Sequence, residues 1–362
     1  MDKGLKKIAI VAITKHGAKY SRKLRSLLQL GDLYVSAKFK GMMDASCDFF
    51  DIPLRVLVAS IWPRYDAIVF FVSLGAVVRI IAPHLKNKYL DPAIIVVDDG
   101  ANFVISVLSG HVGRANELTL EIARLIKASP VITTASDIGK TIPVDMLGRE
   151  FGWILEKKEN AAKVSAAVVN GERIGVFQDA GETNWWKNNT CLPSNIKIYD
   201  SIGAMIDEDC SAYLIITDKL CEGLSIFVLQ KCVIYRPKSL VLGIGCNRGI
   251  SMDDIEEFVF STLRNNHLSF NSIRHVTTVE SRKEEVGISA FLNKYNLTLL
   301  YFTKEELNRV RYVPNPSTMA MKYLGVIGVA EPSAILGSKW GGLIVPKVKS
   351  KMVTLAVARI KF

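Results

Sequence analysis

The sequence predicts an α/β protein, with two mostly parallel-sheet α/β lobes joined by a smaller middle domain. Three observations lead there. Short β-branched runs alternate with helical patterns over 1–150, and the same rhythm restarts near 240. The 362 residues also exceed what one core holds, since single cores stop growing beyond roughly 250–300 residues. The expected division is 1–150, 151–237 and 238–362.

In the first segment IAIVAIT (8–14) reads as a strand, AKYSRKLRSLLQL (18–30) as a helix, AIVFFVS (67–73) as a strand, AVVRIIAPHL (76–85) as a helix and AIIVVDD (93–99) as a strand. NFVISVL (102–108) follows after Gly100-Ala101 and reads as the second arm of a hairpin. A helix is expected over 113–127, where Leu118, Ile122 and Leu125-Ile126 recur at helical spacing, and Pro130 opens another strand. Residues 151–237, with WWKNNT and several turn signals, read as a less regular linking domain. Beyond them LVLGIG (240–245) is a strand, and Ser251 caps a helix with Asp253 and Asp254 at its positive end. IRHVTTV (273–279) is the next strand, followed by a helix around 284–295 and the strand LTLLYFT (297–303). Thr303 with Glu306 forms a capping box, and 343–360 closes with two strands.

Composition excludes several classes. The longest apolar run (67–78) is closed by Arg79 and is too short for a bilayer that needs about 20 residues. The basic start is followed by too few apolar residues for a secretory core, so a cytoplasmic protein without membrane association is expected. Six cysteines form no C-x-x-C pair, and five histidines show no ligand-pair spacing; reduced thiols and no intrinsic metal site are expected. The net charge of +11 divides into +6 over 1–150, −2 over 151–237 and +7 over 238–362, which suggests an anionic partner. Neither an arginine-rich helix nor aromatics interleaved with basic residues occurs, which argues against nucleic acid. The oligomeric state stays open, a homodimer included.

Candidate chemistry concentrates in a few turns. Ser109-Gly110-His111-Val112-Gly113-Arg114-Ala115-Asn116 lies where a strand gives way to a helix, the place where open α/β sheets bind ligands. His111 is suited to proton transfer near neutral pH, Asn116 to orienting a carbonyl, and the helix start to holding an anion. Asp98-Asp99-Gly100 offers either a carboxylate pair or an ordinary hairpin turn. Ser136 and Asp137 either contact a ligand or only cap and turn the chain. Gly243-Ile244-Gly245-Cys246-Asn247-Arg248-Gly249 has its third glycine one residue too late for a dinucleotide fingerprint. Its amides and Arg248 would suit a carboxylate, or the glycines simply permit a tight turn. Cys246 lacks a paired base and reads as a packing residue. Lys347, Lys349 and Lys351 alternate, so as a strand they would share one side, either to meet carboxylates or to guard an edge.

The run 108–118 followed by Pro130-Val-Ile-Thr-Thr-Ala-Ser-Asp137 resembles the CbiG family of cobalamin biosynthesis, the cobalt-precorrin-5A hydrolases. Gly75 to Pro83, Asp91 to Asp98, Gly243 to Ser251, Gly328-Val-Ala-Glu331, Val345 to Ser350 and Thr354 to Arg359 resemble the same family, and the match is weakest over 151–237. One departure stands out: the family turn usually reads Gly-His-x-Gly-Gly-Ala-Asn, and Arg114 replaces its second adjacent glycine. The resemblance implies opening of the ring A δ-lactone of cobalt-precorrin-5A by water, with release of acetaldehyde to give cobalt-precorrin-5B. The partner would be an anionic cobalt tetrapyrrole that carries its own metal, so no cofactor is implied. His111 is the first choice for proton transfer, with backbone N–H groups from Gly113 to Asn116 as oxyanion donors. Asp99, Asp137 and Glu331 are secondary candidates. Gly110, Gly113, Arg114, Ser136, Gly243, Gly245, Arg248 and the three lysines would contact substrate. A tetrapyrrole carrier without turnover and a nucleic-acid-binding protein are the competing readings.

Overall fold

The computed structural model describes residues 7–43, 47–87, 89–134, 141–186 and 191–362. The chain divides into two compact units, Met1–Met146 and Leu147–Phe362, taken separately below.

The first unit runs β1 (Ile8–Ala12), α1 (Lys15–Leu28), β2 (Asp32–Ser36), β3 (Asp48–Phe50), α2 (Leu54–Ile61), β4 (Ala67–Phe71), α3 (Leu74–Ile81), β5 (Ala93–Val97), β6 (Phe103–Leu108), α4 (Ala115–Ile126) and β7 (Ser129–Val131). Its sheet has the order β3-β2-β1-β4-β5-β6-β7. Every neighbour is parallel except β5 with β6, where the expected hairpin forms. Side chains alternate between faces along β1: Ile8, Ile10 and Ala12 join a core with Leu24 of α1 and Ile122 of α4, whereas Ala9 and Val11 meet Leu57, Ile61 and Val77 of α2 and α3. Burial on both faces explains why the strands read as continuous apolar runs.

The second unit holds two five-stranded sheets among the described residues. The first contains β8 (Ile154–Glu156), α5 (Ala161–Val169), β9 (Ile174–Gln178), β10 (Ile196–Tyr199), α6 (Ile202–Asp207), β11 (Ala212–Ile216), α7 (Ile226–Leu229) and β12 (Cys232–Arg236), ordered β10-β9-β11-β12-β8 with only β8 antiparallel. This is an α/β sheet in its own right, more regular than the sequence suggested. Its strands of three to five residues and helices of four to nine are too short to display a period.

The last sheet contains β13 (Leu240–Cys246), α8 (Met252–Asn265), β14 (Ile273–Val279), α9 (Val286–Tyr295), β15 (Thr298–Phe302), α10 (Lys304–Leu307), α11 (Thr318–Leu324), α12 (Ala330–Gly337), β16 (Leu343–Lys349) and β17 (Val353–Arg359), in the order β15-β14-β13-β17-β16. Strands β13, β14 and β15 are parallel, while β17 and β16 pair antiparallel. Helices α8 and α9 cover one face through Val259, Leu263 and Phe291, and the Thr303–Glu306 capping box is present. On the other face Ala330 and Ala334 of α12 meet Ala356 and Ala358 of β17, small residues that bring helix and sheet backbones together. One ion pair, Asp218 with Arg359, and one hydrogen bond, Asn271 to Glu156, join the two sheets, the latter at a carboxylate that also pairs with Arg236 inside the middle sheet. Asp218 accepts from Arg359 Nε and Nη2 at 2.8 and 2.7 Å and from Ser239 Oγ at 2.7 Å, and Glu156 accepts from Arg236 Nε at 2.9 Å and Asn271 Nδ2 at 2.7 Å.

Candidate functional site

Strand direction decides which turns face which edge of the first sheet. β1, β4 and β5 end at one edge, the carboxyl edge, and the order 3-2-1-4-5 reverses direction between β1 and β4, the crevice where open sheets bind ligands. Because β6 runs antiparallel, with Leu108 opposite Ile94, the turn 109–114 emerges at the amino edge instead. Ser109 Oγ accordingly donates to the Asp91 carbonyl, just before β5 begins. The Gly-His turn and Asp99 therefore lie at opposite ends of β5, roughly 20 Å apart at about 3.3 Å per residue.

At the amino edge most of the expected oxyanion donors are spent. The amides of Arg114, Ala115 and Asn116 donate to the carbonyls of His111, Ser109 and Gly110 at 3.0, 3.2 and 3.0 Å. The Asn116 side chain accepts from Ser106 Oγ at 2.6 Å and donates to Thr134 Oγ1 at 2.9 Å, tying the chain after β7 to β6 rather than orienting a ligand. A Cβ on Gly110 would stand 2.8 Å from Asn116 Oδ1, and one on Gly113 would stand 2.5 Å from Ser109 Cβ, so both glycines serve close packing of the turn. Arg114 sits at φ +66°, a backbone conformation that glycine adopts without cost, and its guanidinium pairs with Glu117 Oε2 at 2.6 Å. His111 is half-buried in this turn. Ser136 and Asp137 lie outside the described residues.

At the carboxyl edge the sequence reading missed a constellation. Thr14 caps α1 by accepting from Gly17 N–H at 2.9 Å, and the same hydroxyl donates to Asp99. His16 Nδ1 lies 3.3 Å from the other Asp99 oxygen. The Thr14 hydrogen bond, reinforced by His16 and only partly opposed by burial, holds Asp99 below the usual carboxylate range. Asp99 is thus an ionised partner for the imidazole and not a proton donor. Its neighbour Asp98 is the turn former, accepting from the amides of Phe103 and Gly100 at 2.6 and 3.3 Å. Nothing local in the sequence marks His16, whose partner is 83 residues away.

In the last sheet Gly243 and Gly245 lie inside β13, not in the turn after it. A Cβ on Gly243 would be 1.9 Å from the Ala330 carbonyl oxygen, so this glycine admits α12 and binds no anion. In the turn itself Gly249 N–H donates to Glu285 Oε1 at 2.7 Å, and Arg248 is exposed. Burial, with Glu285 adding to it, pushes the Cys246 thiol up to about 11, which removes it as a nucleophile at neutral pH. Glu331, 1% exposed, accepts from Asn315 N, Asn315 Nδ2 and Lys347 N at 2.9 Å each; it ties a loop to β16 and is shut off from solvent. The three lysines do not share a strand face. Register shifts interrupt β16, and Lys351 lies beyond its end. Lys347 and Lys351, with Gly245, instead line a cavity of about 390 Å³ that neither Arg248 nor Lys349 lines.

These features define a three-sheet α/β protein with a histidine–carboxylate pair at a topological switch point and a cationic cleft in its last sheet. The chain matches three family models in order: Cobalamin synthesis G N-terminal over 56–137, Cobalamin biosynthesis central region over 142–237 and Cobalamin synthesis G C-terminus over 240–358. It belongs to the cobalamin synthesis G family. A cobalt-precorrin-5A hydrolase of Priestia megaterium is 44% identical across 98% of this chain and 95% of its own length. That of Salmonella typhimurium is 27% identical across 97% of each. The crystal structure of a cobalamin biosynthesis protein G homologue from Sulfolobus solfataricus, 24% identical, covers 99% of this chain and 98% of its own and superposes loosely, with a TM-score of 0.39. No helix among the described residues is long and apolar enough to cross a membrane.

Proposed function

We propose that the protein is a cobalt-precorrin-5A hydrolase of anaerobic cobalamin biosynthesis, acting in the cytoplasm. The observation that carries this reading is the 44% identity to the Priestia enzyme across nearly the whole of both chains. Water adds to the ring A lactone carbonyl, the acyl C–O bond breaks, and a retro-aldol-like C–C cleavage then releases acetaldehyde. Cobalt arrives in the substrate, and the reading requires no resident cofactor.

Both steps need a group that takes and returns a proton. Geometry favours His16 over His111. With Nδ1 donating to ionised Asp99, Nε2 is left as the acceptor, and Asp99 stabilises the imidazolium that forms. The position at the switch-point edge supports the same assignment. Incubating the protein with cobalt-precorrin-5A and assaying acetaldehyde tests the function. Binding without release of acetaldehyde would make the protein a tetrapyrrole carrier instead.

A further inference from the structure

The cavity of about 390 Å³ opens where β13 and β14 end, closed on one side by α11 and on another by the β16–β17 turn. Its walls combine two kinds of group. Arg282, Lys347 and Lys351 supply positive charge; Met319 and Tyr323 on α11 and Met352 in the turn supply polarisable apolar surface. Met319 and Tyr323 are 61% and 67% exposed, unusual for large apolar side chains packed beside a cavity.

We propose that this cleft holds one edge of a carboxylate-bearing tetrapyrrole, with Arg282, Lys347 and Lys351 on its carboxylates and Met319 and Tyr323 against the macrocycle. The proposal rests on the hydrolase reading and adds to it a binding site with named residues.

The cations retain capacity for a ligand. Lys347 Nζ donates to the carbonyls of Asn315 and Pro316, so two of its three donors fix its position and one remains. Burial, with Lys349 nearby, holds this ammonium below the usual lysine range, the mark of a charge that an incoming carboxylate would stabilise. Arg282 lies 3.9 Å from Glu285, a contact that occupies one edge of a guanidinium with five N–H donors. Lys351 has no side-chain partner among the described residues. Thioether and phenol walls suit the apolar face or edge of a flat ring, and Met adapts its shape to it. The volume sits at the low end of the roughly 300–1,000 Å³ of small-molecule sites, which fits an edge of the macrocycle and not its whole disc.

The test uses the full chain and two probes, cobyrinic acid with free carboxylates and its heptamethyl ester without them. Arg282→Gln with Lys351→Gln should weaken cobyrinic acid binding about tenfold at low ionic strength, less at high salt, and leave ester binding unchanged. Met319→Ala with Tyr323→Ala should weaken both probes about five- to tenfold. With cobalt-precorrin-5A the charge variants should raise KM about tenfold and change kcat less than about twofold. Lys351→Gln alone, in an exposed turn outside the core, gives the same pattern at smaller size if the larger variant folds poorly. Folded variants that bind the acid as the parent does, with unchanged KM, would overturn the site while acetaldehyde release still stands. A parent that releases no acetaldehyde would overturn the functional reading itself.

Discussion

At the carboxyl edge of the first sheet Thr14, His16 and Asp99 leave an imidazole backed by an ionised carboxylate, whereas at the amino edge Ser109 to Asn116 use most of their polar atoms on one another. In sequence the second region looks richer: two glycines, a histidine, an arginine and an asparagine within seven residues. In space its glycines pack against Ser109 and Asn116, and its asparagine is spent on Ser106 and Thr134. A dense polar motif is therefore as compatible with a self-satisfied turn as with a site. Strand direction and hydrogen-bond accounting separate the two.

The sharpest way to break this contrast is a pair of histidine variants. His16→Ala should lower kcat for acetaldehyde release by about 10²–10⁴, the usual contribution of a positioned acid or base, while His111→Ala stays within about threefold of the parent. The reverse ranking would return the chemistry to the amino edge. Next in size, Asn116→Ala should cost about 1–3 kcal/mol in chemical denaturation, because Ser106 and Thr134 lose a shared partner, with kcat of the folded fraction retained. A loss of kcat without loss of stability would show that Asn116 meets substrate.

Arg114→Gly should stabilise the protein by up to about 1 kcal/mol. It relieves a left-handed residue worth roughly 1–2 kcal/mol, offset by the lost Glu117 pair and the greater freedom of glycine when unfolded. A fall in thermal midpoint would mean that the guanidinium holds the turn more firmly than the backbone resists it. The smallest effect concerns Asp99, whose folded-state pKa is depressed. Its contribution is present above the unfolded carboxylate value of about 3.9 and is lost as pH falls through the lower folded value. Asp99→Asn should therefore cost under about 1 kcal/mol at pH 7, and the two stability curves should meet in acid. A difference that persists below pH 2 would assign the effect to packing.

Much of this architecture was legible in the chain. The strand IRHVTTV, the capping box at Thr303 and the hairpin after Asp98-Asp99-Gly100 all form, since each is set by neighbours in sequence. What stayed hidden depends on distant partners. The turn after β6 has the sequence of any strand-to-helix connection, and only the antiparallel pairing with β5 sends it to the other edge. Why position 243 is glycine stays hidden until α12, almost ninety residues later, is laid across it. Lys347, Lys349 and Lys351 keep a period of two that the interrupted register of β16 does not honour. The His16–Asp99 pair joins residues with no local pattern in common.

Asp218, just beyond β11 of the middle sheet and fully buried, receives its guanidinium from Arg359, 141 residues downstream. During synthesis at about 5–20 residues per second, roughly 7–28 s separate the two. Through that interval the carboxylate has no cation to meet and must stay hydrated. The middle sheet is thus obliged to wait, its seam open, until β17 has been made and brings Arg359 to it. A chain lacking Arg359 would either keep that seam open to water or bury the Asp218 carboxylate without its cation.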